Sequence, residues 1–203
     1  HIYARMSFDP AKDLTPVAAA ARVLVFLVVK PAMPVDNVQQ FLAFAKTHPG
    51  QLTFGSAGNG SSPHLAAEMM KSQAGLFAVH VPYRGAAPAL QDLLAGQLDF
   101  YFDPGIGLNQ VRAGKLKILG VATEKRIASL PNVPTIAETL PGFVSIAWFG
   151  VAAPPRTPMA IAERLSAAIA EAAKLPDVQK RMVELSAEPI ANTPAQMAAF
   201  MKE

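Results

Sequence analysis

The stretch QLTFGSAGNGSSPHLAAEMMK, residues 51–71, passes from a short apolar run through a loop of small residues into an amphipathic helix. From Gly55 to Pro63 the loop holds only glycine, serine, alanine, asparagine and proline. A strand that leads into a helix brings main-chain N–H groups without partners to the helix N-terminus, and glycines let an anion approach them. The stretch therefore indicates an α/β fold. Its loop predicts either an anion-binding site or an ordinary turn in which a serine only caps the helix.

Polar side chains in the loop favour the anion-binding interpretation. The hydroxyl groups of Ser61 and Ser62 add hydrogen-bond donors, and the helix dipole favours a carboxylate or phosphate at this end. Ser62 is predicted to cap the helix, with Pro63 at the first helical position. His64 falls in the first turn, where it either donates to a ligand carboxylate or rests in its neutral form beside the loop.

The loop does not carry the signatures of well-known nucleotide or hydrolase sites. No GK[ST] follows it, Pro63 occupies the third glycine position of the dinucleotide fingerprint, and the chain has no GxSxG. A serine of the loop with His64 would need an orienting acid to act as nucleophile and base, and nothing in the sequence singles one out. We therefore expect no catalytic residue and no enzymatic activity.

Two later strand ends are further candidates for ligand contact. In VPYRGAAPAL, residues 81–90, Gly85 joins a strand to a helix start; Tyr83 is a candidate contact, and Arg84 either contacts ligand or stays in solvent. Asp103 ends the strand LDFYFD, and loops at the carboxyl ends of strands meet ligands in α/β sheets. Asp103 is either an acceptor for a ligand amine or hydroxyl, or a turn aspartate before Pro104.

Composition excludes several function classes. The 203 residues contain no cysteine, which excludes disulfides, thiolate metal sites and cysteine nucleophiles. The longest apolar run, residues 23–29, has strand length and is far short of the roughly 18–20 residues of a membrane span. The net charge of +3 mildly favours anionic partners, but no basic run supports nucleic-acid binding. The histidines show no metal-ligand spacing, so we expect no metal site.

Apolar runs alternate with helical patterns, which predicts parallel sheets covered by helices. Strands are predicted at 23–29, 52–55, 79–81, 98–102 and 116–122, with a buried strand at 148–152. Helices are predicted after Asp36, from Ser62, over 86–95, from Pro158 to Lys174, after Pro176, and after a capping box of Thr193 and Gln196. The first helix should bury Val38, Phe41, Leu42 and Ala45, and the second should turn Leu65, Met69 and Met70 towards the core. Trp148 and Phe149 either pack in a core, as we expect, or form the wall of a pocket.

Residues 24–31 and 116–125 have the pattern of two strands that cross between lobes. The segment between them, with its own strands and helices, would form one lobe, and the two ends of the chain would form the other. Two crossing strands make a hinge, and a cleft between lobes is a usual place for a small ligand.

Four blocks, in this order, resemble the Bug-type periplasmic receptors of tripartite tricarboxylate transport systems: SAGNGSSPHLAAEMM, HVPYRGAAPALQDLLAGQLDFYFD, AGKLKILGVATEKRIASLPNVPTIAE and WFGVAAPPRTP. The resemblance runs from FDPAKDLTPVA at Phe8 to TPAQMAAFMKE at the end. It implies a type II periplasmic binding protein fold and a receptor without cofactor. The ligand would be a small organic acid, such as a di- or tricarboxylate, an amino acid or an aromatic carboxylate. Such a receptor would deliver the acid to a membrane permease.

The resemblance also implies which residues bind the ligand. One of the family's two carboxylate-gripping loops corresponds to residues 56–64, and the family's pocket-edge aspartate corresponds to Asp103. With the second strand-to-helix junction, the expected ligand-binding residues are Ser56, Ala57, Gly58, Asn59, Gly60, Ser61, Ser62, His64, Gly85 and Asp103. An alternative is the effector-sensing module of a regulator, which would need a DNA-binding helix-turn-helix that this sequence does not contain.

The sequence departs from the family at its beginning. Members begin with a long portion that carries the other gripping loop, of PPGGS type, and this chain opens on His1 without it and without the pattern of a leader peptide. We therefore expect an incomplete lobe 1, residues 1–27 and 119–203, and an intact lobe 2, residues 28–118. The exposed sheet edges of such a lobe 1 would favour self-association.

Overall fold

The computed structural model describes residues 7–9, 12–184 and 186–202. The chain forms two compact units: unit 1 comprises His1–Val23 and Trp148–Glu203, and unit 2 comprises Leu24–Ala147. Among the described residues, no helix is long and apolar enough to cross a membrane.

Unit 2 is built on a five-stranded sheet with the order β4-β3-β5-β2-β6. Its elements are β2 (Phe26–Val29), α1 (Val38–Thr47), β3 (Thr53–Ser56), α2 (Ser62–Ala74), β4 (Val79–Pro82), α3 (Ala86–Leu94), β5 (Phe100–Asp103), α4 (Leu108–Arg112), β6 (Lys117–Val121) and a 3-10 turn (Ile136–Glu138). β3 runs parallel to β4 and β5, but β2 runs antiparallel to both β5 and β6. The predicted parallel arrangement holds for β4, β3 and β5 but is wrong for β2, which runs antiparallel to the strand on each side of it.

Helices cover both faces of this sheet. The chain moves from β3 outward to β4 and then back across β3 to β5, so right-handed crossovers place α2 and α3 on opposite faces. One core contains Phe41 of α1 and Met70 of α2, and the other contains Leu90 and Leu93 of α3. Neighbouring residues of β5 alternate between them: Phe100 and Phe102 enter the first core, and Tyr101 enters the second.

The two helices before and after β3 follow the sequence closely, with shifts of one residue at their ends. Asn37, rather than Asp36, caps α1 through its side chain, and the predicted apolar face of α1 is buried. Ser61, rather than Ser62, is the cap residue of α2. Leu65 was wrongly predicted to be buried and is 48% exposed, because the buried stripe of α2 consists of Pro63, Ala66, Ala67, Met70 and Ala74.

Unit 1 contains a three-stranded sheet with the order β7-β1-β8. Its elements are β1 (Thr15–Leu24), β7 (Ile146–Ala153), α5 (Met159–Ala172), α6 (Pro176–Glu184), β8 (Ala187–Pro189) and α7 (Pro194–Phe200). Thr193 and Gln196 form the predicted capping box of α7. The prediction that Trp148 and Phe149 pack in a core is wrong, since they are 40% and 63% exposed. β7 is an edge strand, and the buried cluster beside it, Val17, Ala18, Ala153 and Ala162 with the partly buried Ile169, contains no aromatic side chain among the described residues.

The compact units divide the chain differently from the predicted lobes. The chain first passes from unit 1 to unit 2 at Val23, close to the predicted crossing at 24–31, but it returns at Trp148 rather than within 116–125. Residues 119–147 stay with unit 2 because they pack back onto its sheet. The Val121 N–H donates to the Pro134 carbonyl at 2.9 Å, and Phe143 stacks on Phe102 with ring centroids 5.9 Å apart.

Candidate ligand-binding site

Three loops of unit 2 begin at the carboxyl ends of three neighbouring parallel strands. β3 leads into the glycine loop (residues 56–64), β4 leads into the Gly85 turn (residues 83–87), and β5 ends at Asp103. Because parallel neighbours end at the same edge of a sheet, the three predicted site regions lie along one edge. The Tyr83 N–H donates to the Ser56 carbonyl at 3.1 Å and links the first two loops directly.

The glycine loop forms a tight turn. At two of its positions the backbone conformation favours glycine. Gly58 has φ 118° and Gly60 has φ 80°, both in the region that side chains rarely adopt. The Ser61 hydroxyl donates to the Gly58 carbonyl at 2.7 Å, and the Ser61 N–H donates to the same oxygen at 3.1 Å. Ser61 therefore closes the turn, and its hydroxyl is used inside the loop.

Main-chain N–H groups of the loop remain available to a ligand. In the part of the chain that the structure describes, four of them have no protein acceptor: those of Ala57, Asn59, Ser62 and His64. Ser62 and His64 are the first and third residues of α2, where N–H groups have no partner within the helix. The Gly60 N–H is different, because it donates to His64 Nδ1 at 3.0 Å.

One of the two ring nitrogens of His64 is used in a hydrogen bond within the loop. Its Nδ1 accepts the Gly60 N–H, so that nitrogen carries no proton, and its Nε2 lies 3.9 Å from Glu68 Oε1. Glu68 in turn pairs with Lys71 at 2.6 Å. His64 therefore stabilises the loop through its Nδ1, and both its main-chain N–H and its Nε2, which at 3.9 Å from Glu68 makes no hydrogen bond to it, remain for a ligand.

Two side chains support the glycine loop from its buried side, those of Ser56 and His80. His80 was not identified as a site residue from the sequence. Ser56 has no exposed surface. Its hydroxyl accepts the Gly58 N–H at 3.1 Å and lies 2.6 Å from His80 Nε2. The HVPY pattern gave no signal for His80, because only the parallel register of β3 and β4 places its ring beside the loop.

The Gly85 turn offers a second set of donors. Gly85 has φ 118° and precedes the first turn of α3. A Cβ built on Gly85 would meet nothing within 4 Å, which leaves its main chain open to approach. Within the described residues the N–H groups of Ala86 and Ala87 have no protein acceptor. The Tyr83 hydroxyl is already used, since it donates to Asp92 Oδ2 at 2.6 Å, and Arg84 is exposed.

Asp103 is a buried carboxylate with one oxygen unused. Its Oδ2 accepts N–H groups of Gly105 at 3.1 Å and Gly107 at 2.9 Å, whereas its buried Oδ1 has no protein partner. Burial raises the pKa of the Asp103 carboxyl to about 6, against the opposing effect of the two N–H donors. The Tyr101 hydroxyl on the same face of β5 is also buried without a protein partner. Asp103 thus has an acceptor without a protein partner, but the whole residue is buried, so its contact with a ligand stays a prediction.

The serine and histidine side chains do not form a nucleophile and base. The Ser61 hydroxyl donates to a carbonyl rather than to His64, whose Nδ1 is taken by Gly60. The one short serine–histidine contact of the described loop, between Ser56 and His80, is made by a serine with no exposed surface. The arrangement is suited to holding an anion with main-chain donors.

An α/β sheet that presents main-chain donors at the ends of neighbouring parallel strands is typical of proteins that bind small anions. Over residues 1–203 the chain matches the family described as the tripartite tricarboxylate transporter family receptor, and it belongs to that family. The predicted family is therefore confirmed.

Individual relatives agree with this assignment. The chain is 38% identical over 203 residues to the UPF0065 protein in the tcbD-tcbE intergenic region of Pseudomonas sp. (strain P51), covering 98% of this chain and 60% of that protein. Its structure is similar to R. palustris Rpa4515 with adipate (TM-score 0.91, 35% identity, 99% of this chain and 68% of that one). It is also similar to MatC from Rhodopseudomonas palustris with bound malate (TM-score 0.89, 31% identity, 99% and 70%). The predicted α/β binding-protein fold is confirmed, and the chain spans about 60% of the length of such a curated relative.

Proposed function

We propose that this protein is a periplasmic receptor that binds a small organic acid and delivers it to the membrane permease of a tripartite tricarboxylate transporter, without catalysis. One observation carries the proposal: the glycine loop presents four main-chain N–H groups without protein acceptors at the N-terminus of a 13-residue helix. The expected ligand-binding residues are residues 56–62 and 64 of the glycine loop, Gly85 and Asp103. Within the loop, Ala57, Asn59, Ser62 and His64 would contact the ligand through their main-chain N–H groups, and the other four residues would shape the turn.

A carboxylate suits the glycine loop in charge and in shape. Hydrogen bonds from N–H groups to a charged acceptor contribute roughly 1.5–3 kcal/mol each, about twice the value for neutral pairs. The partial positive charge at a helix N-terminus adds about 0.3–1 kcal/mol. Two carboxylate oxygens can accept several of these N–H groups at once, while Ser56 and Ser61 hold the turn that presents them.

The second end of the ligand is expected to meet the Gly85 turn or Asp103. The solved relatives hold adipate and malate, both dicarboxylates, so a second set of N–H donors at Ala86 and Ala87 is a reasonable partner for a second carboxylate. Asp103 Oδ1 has no protein partner but is buried, so a ligand hydroxyl or amine would donate to it only where binding exposes this oxygen. The choice between these contacts would set ligand selectivity.

Calorimetric titration of the 203-residue chain with adipate and with malate tests the proposal. The wild type should bind at least one of them, and Gly58→Val should lose binding, because φ 118° disfavours a side chain and its Cβ would lie 3.4 Å from the Tyr83 carbonyl. Gly114→Val is the matched control: it also sits at positive φ, 69°, but outside the glycine loop. It should lose stability without losing affinity.

Two results would contradict the proposal. One is a Gly58→Val protein that is folded and binds the acid as tightly as the wild type. The other is turnover of the bound acid by the wild type, which would make the protein an enzyme rather than a receptor.

A further inference from the structure

The His80 ring contacts the buried Ser56 hydroxyl at the start of the glycine loop, although His80 lies on a different strand. Its position in β4 is the register partner of Phe54 in β3. The His80 ring stacks on Phe54 with centroids 4.9 Å apart and on His64 with centroids 4.1 Å apart. It therefore joins the sheet to the first turn of α2.

The two loop glycines with positive φ, Gly58 and Gly60, are each held by hydrogen bonds that involve an imidazole ring. His80 Nε2 contacts Ser56 Oγ at 2.6 Å, and Ser56 Oγ accepts the Gly58 N–H. His64 Nδ1 accepts the Gly60 N–H. Since these bonds fix the peptide units on either side of Asn59, they determine where the remaining N–H groups of the loop point.

Burial, more than the neighbouring charges, favours the neutral form of His80. Helix α2 presents His64, Glu68 and Lys71 to the ring, and β3 presents Phe54 and Ser56, which carry no charge. Burial, followed by the neighbouring His64, lowers the pKa of His80; Lys71 lowers it further and Glu68 opposes the change. A neutral His80 can donate one hydrogen bond to Ser56 Oγ, while Ser56 donates to the Gly58 carbonyl at 3.1 Å.

We propose that His80 is a positioning residue for carboxylate binding, which acts through Ser56 to hold the glycine loop in its donor-presenting conformation. This inference rests on the proposed function and extends it to a residue that does not contact the ligand. It predicts that the hydrogen bond to Ser56, rather than the stacked ring, is what binding depends on.

Three variants distinguish the effect of the His80–Ser56 hydrogen bond from the effect of the His80–Phe54 ring stacking. His80→Phe keeps an aromatic ring on Phe54 but removes the bond to Ser56, and we expect adipate or malate affinity to fall about tenfold while the protein stays folded. His80→Gln places an amide near the position of Nε2 and should restore most of the affinity. His48→Phe is the matched control, because His48 also stacks on a phenylalanine, Phe44, at 4.1 Å, but does not touch the loop. It should bind as the wild type does.

A double-mutant cycle tests whether His80 acts through Ser56. In a Ser56→Ala background, His80→Phe should cause little further loss of affinity. An equal loss in both backgrounds, or no loss in the wild-type background, would overturn the inference. If the wild type binds neither acid, the proposed function fails instead.

A second measurement needs no ligand, so it tests the inference in every case. Amide hydrogen exchange at Gly58 should be at least tenfold faster in His80→Phe than in the wild type or in His48→Phe, because Ser56 Oγ, the acceptor of the Gly58 N–H, is no longer held in place by His80. Unchanged exchange at Gly58 in folded His80→Phe would contradict a positioning role. If His80→Phe does not fold, His80→Gln carries the test, and the inference then requires wild-type exchange at Gly58 in that variant.

Discussion

The two units of this chain are built from the same kinds of element but differ in what their sheets bury. The sheet of unit 2 has helices on both faces and fully buries large side chains such as Phe54, Phe100 and Phe102. The sheet of unit 1 buries a cluster of small residues and leaves Phe149 and Met159 more than half exposed. The candidate site lies on unit 2. A loop that presents main-chain N–H groups needs a fixed support, and buried strand ends such as Ser56 and Asp103 provide it.

The largest expected difference between the units is in the cost of removing an aromatic side chain. Phe102→Ala in unit 2 should lower the free energy of unfolding by about 3–5 kcal/mol, because Phe102 is fully buried and stacks on Phe143. Phe149→Ala in unit 1 should change it by no more than about 0.5 kcal/mol. Urea denaturation of both variants measures the difference, and similar losses would show that the units are equally well packed.

The next expected effect concerns the buried carboxylate of unit 2. Since the pKa of Asp103 is raised from 3.8 to about 6, the folded state holds a proton between these values that the unfolded state has released. The charged form therefore costs stability as pH rises through about 6, and the cost is absent below 3.8. Asp103→Asn should stabilise the ligand-free protein by about 1–3 kcal/mol at pH 8 and by almost nothing at pH 3.5.

Asp177→Asn in unit 1 is the control for this pH dependence. Asp177 lies exposed in the first turn of α6, where its charge favours the helix, so the variant should lose at most about 0.5 kcal/mol. Thermal unfolding of both variants across the pH range gives the comparison. An Asp103→Asn protein that is less stable than the wild type at pH 8 would mean that the Asp103 charge is compensated within the fold.

The smallest expected difference lies in the ion pairs. Asp99 of unit 2 bonds Lys30 at 2.6 Å and also accepts the Thr53 N–H at 2.8 Å, so Asp99→Asn should cost about 1–2 kcal/mol. Glu188 of unit 1 pairs with Arg22, and both side chains are more than 40% exposed, so Glu188→Gln should cost about 0–0.5 kcal/mol. Denaturant midpoints at low and high salt distinguish them, and a larger loss for Glu188→Gln would reverse the comparison.

Much of unit 2 was predictable because its sequence patterns are local. The helical spacing of Val38, Phe41, Leu42 and Ala45 marks a buried face that the structure confirms. The run FGSAGNGSSPH predicts a strand-to-helix junction, and the structure has β3 and α2 at its two ends. In unit 1 the strand β1 extends back to Thr15 through PVAAAA, and these alanines gave no strand signal because alanine favours helices.

The parts of the candidate site that sequence could not give depend on pairing between strands. Nothing in HVPY indicates that His80 lies against Ser56, since 24 positions separate them and only the β3–β4 register joins them. The role of Gly60 could not be predicted from sequence either, because its N–H donates to the side chain of His64, four residues later. Trp148 and Phe149 were predicted to be buried from their apolarity alone, and the edge position of β7 exposes them.

The central claim is that the glycine loop binds a carboxylate with main-chain N–H groups. An amide NMR titration of the wild-type chain with adipate and with malate tests it most directly. We expect saturable shifts in four amides of the loop, those of Ala57, Asn59, Ser62 and His64, and smaller shifts at Gly60 and in unit 1. Loop amides that stay unmoved at saturating concentrations of both acids, whether other residues shift or not, would contradict the claim.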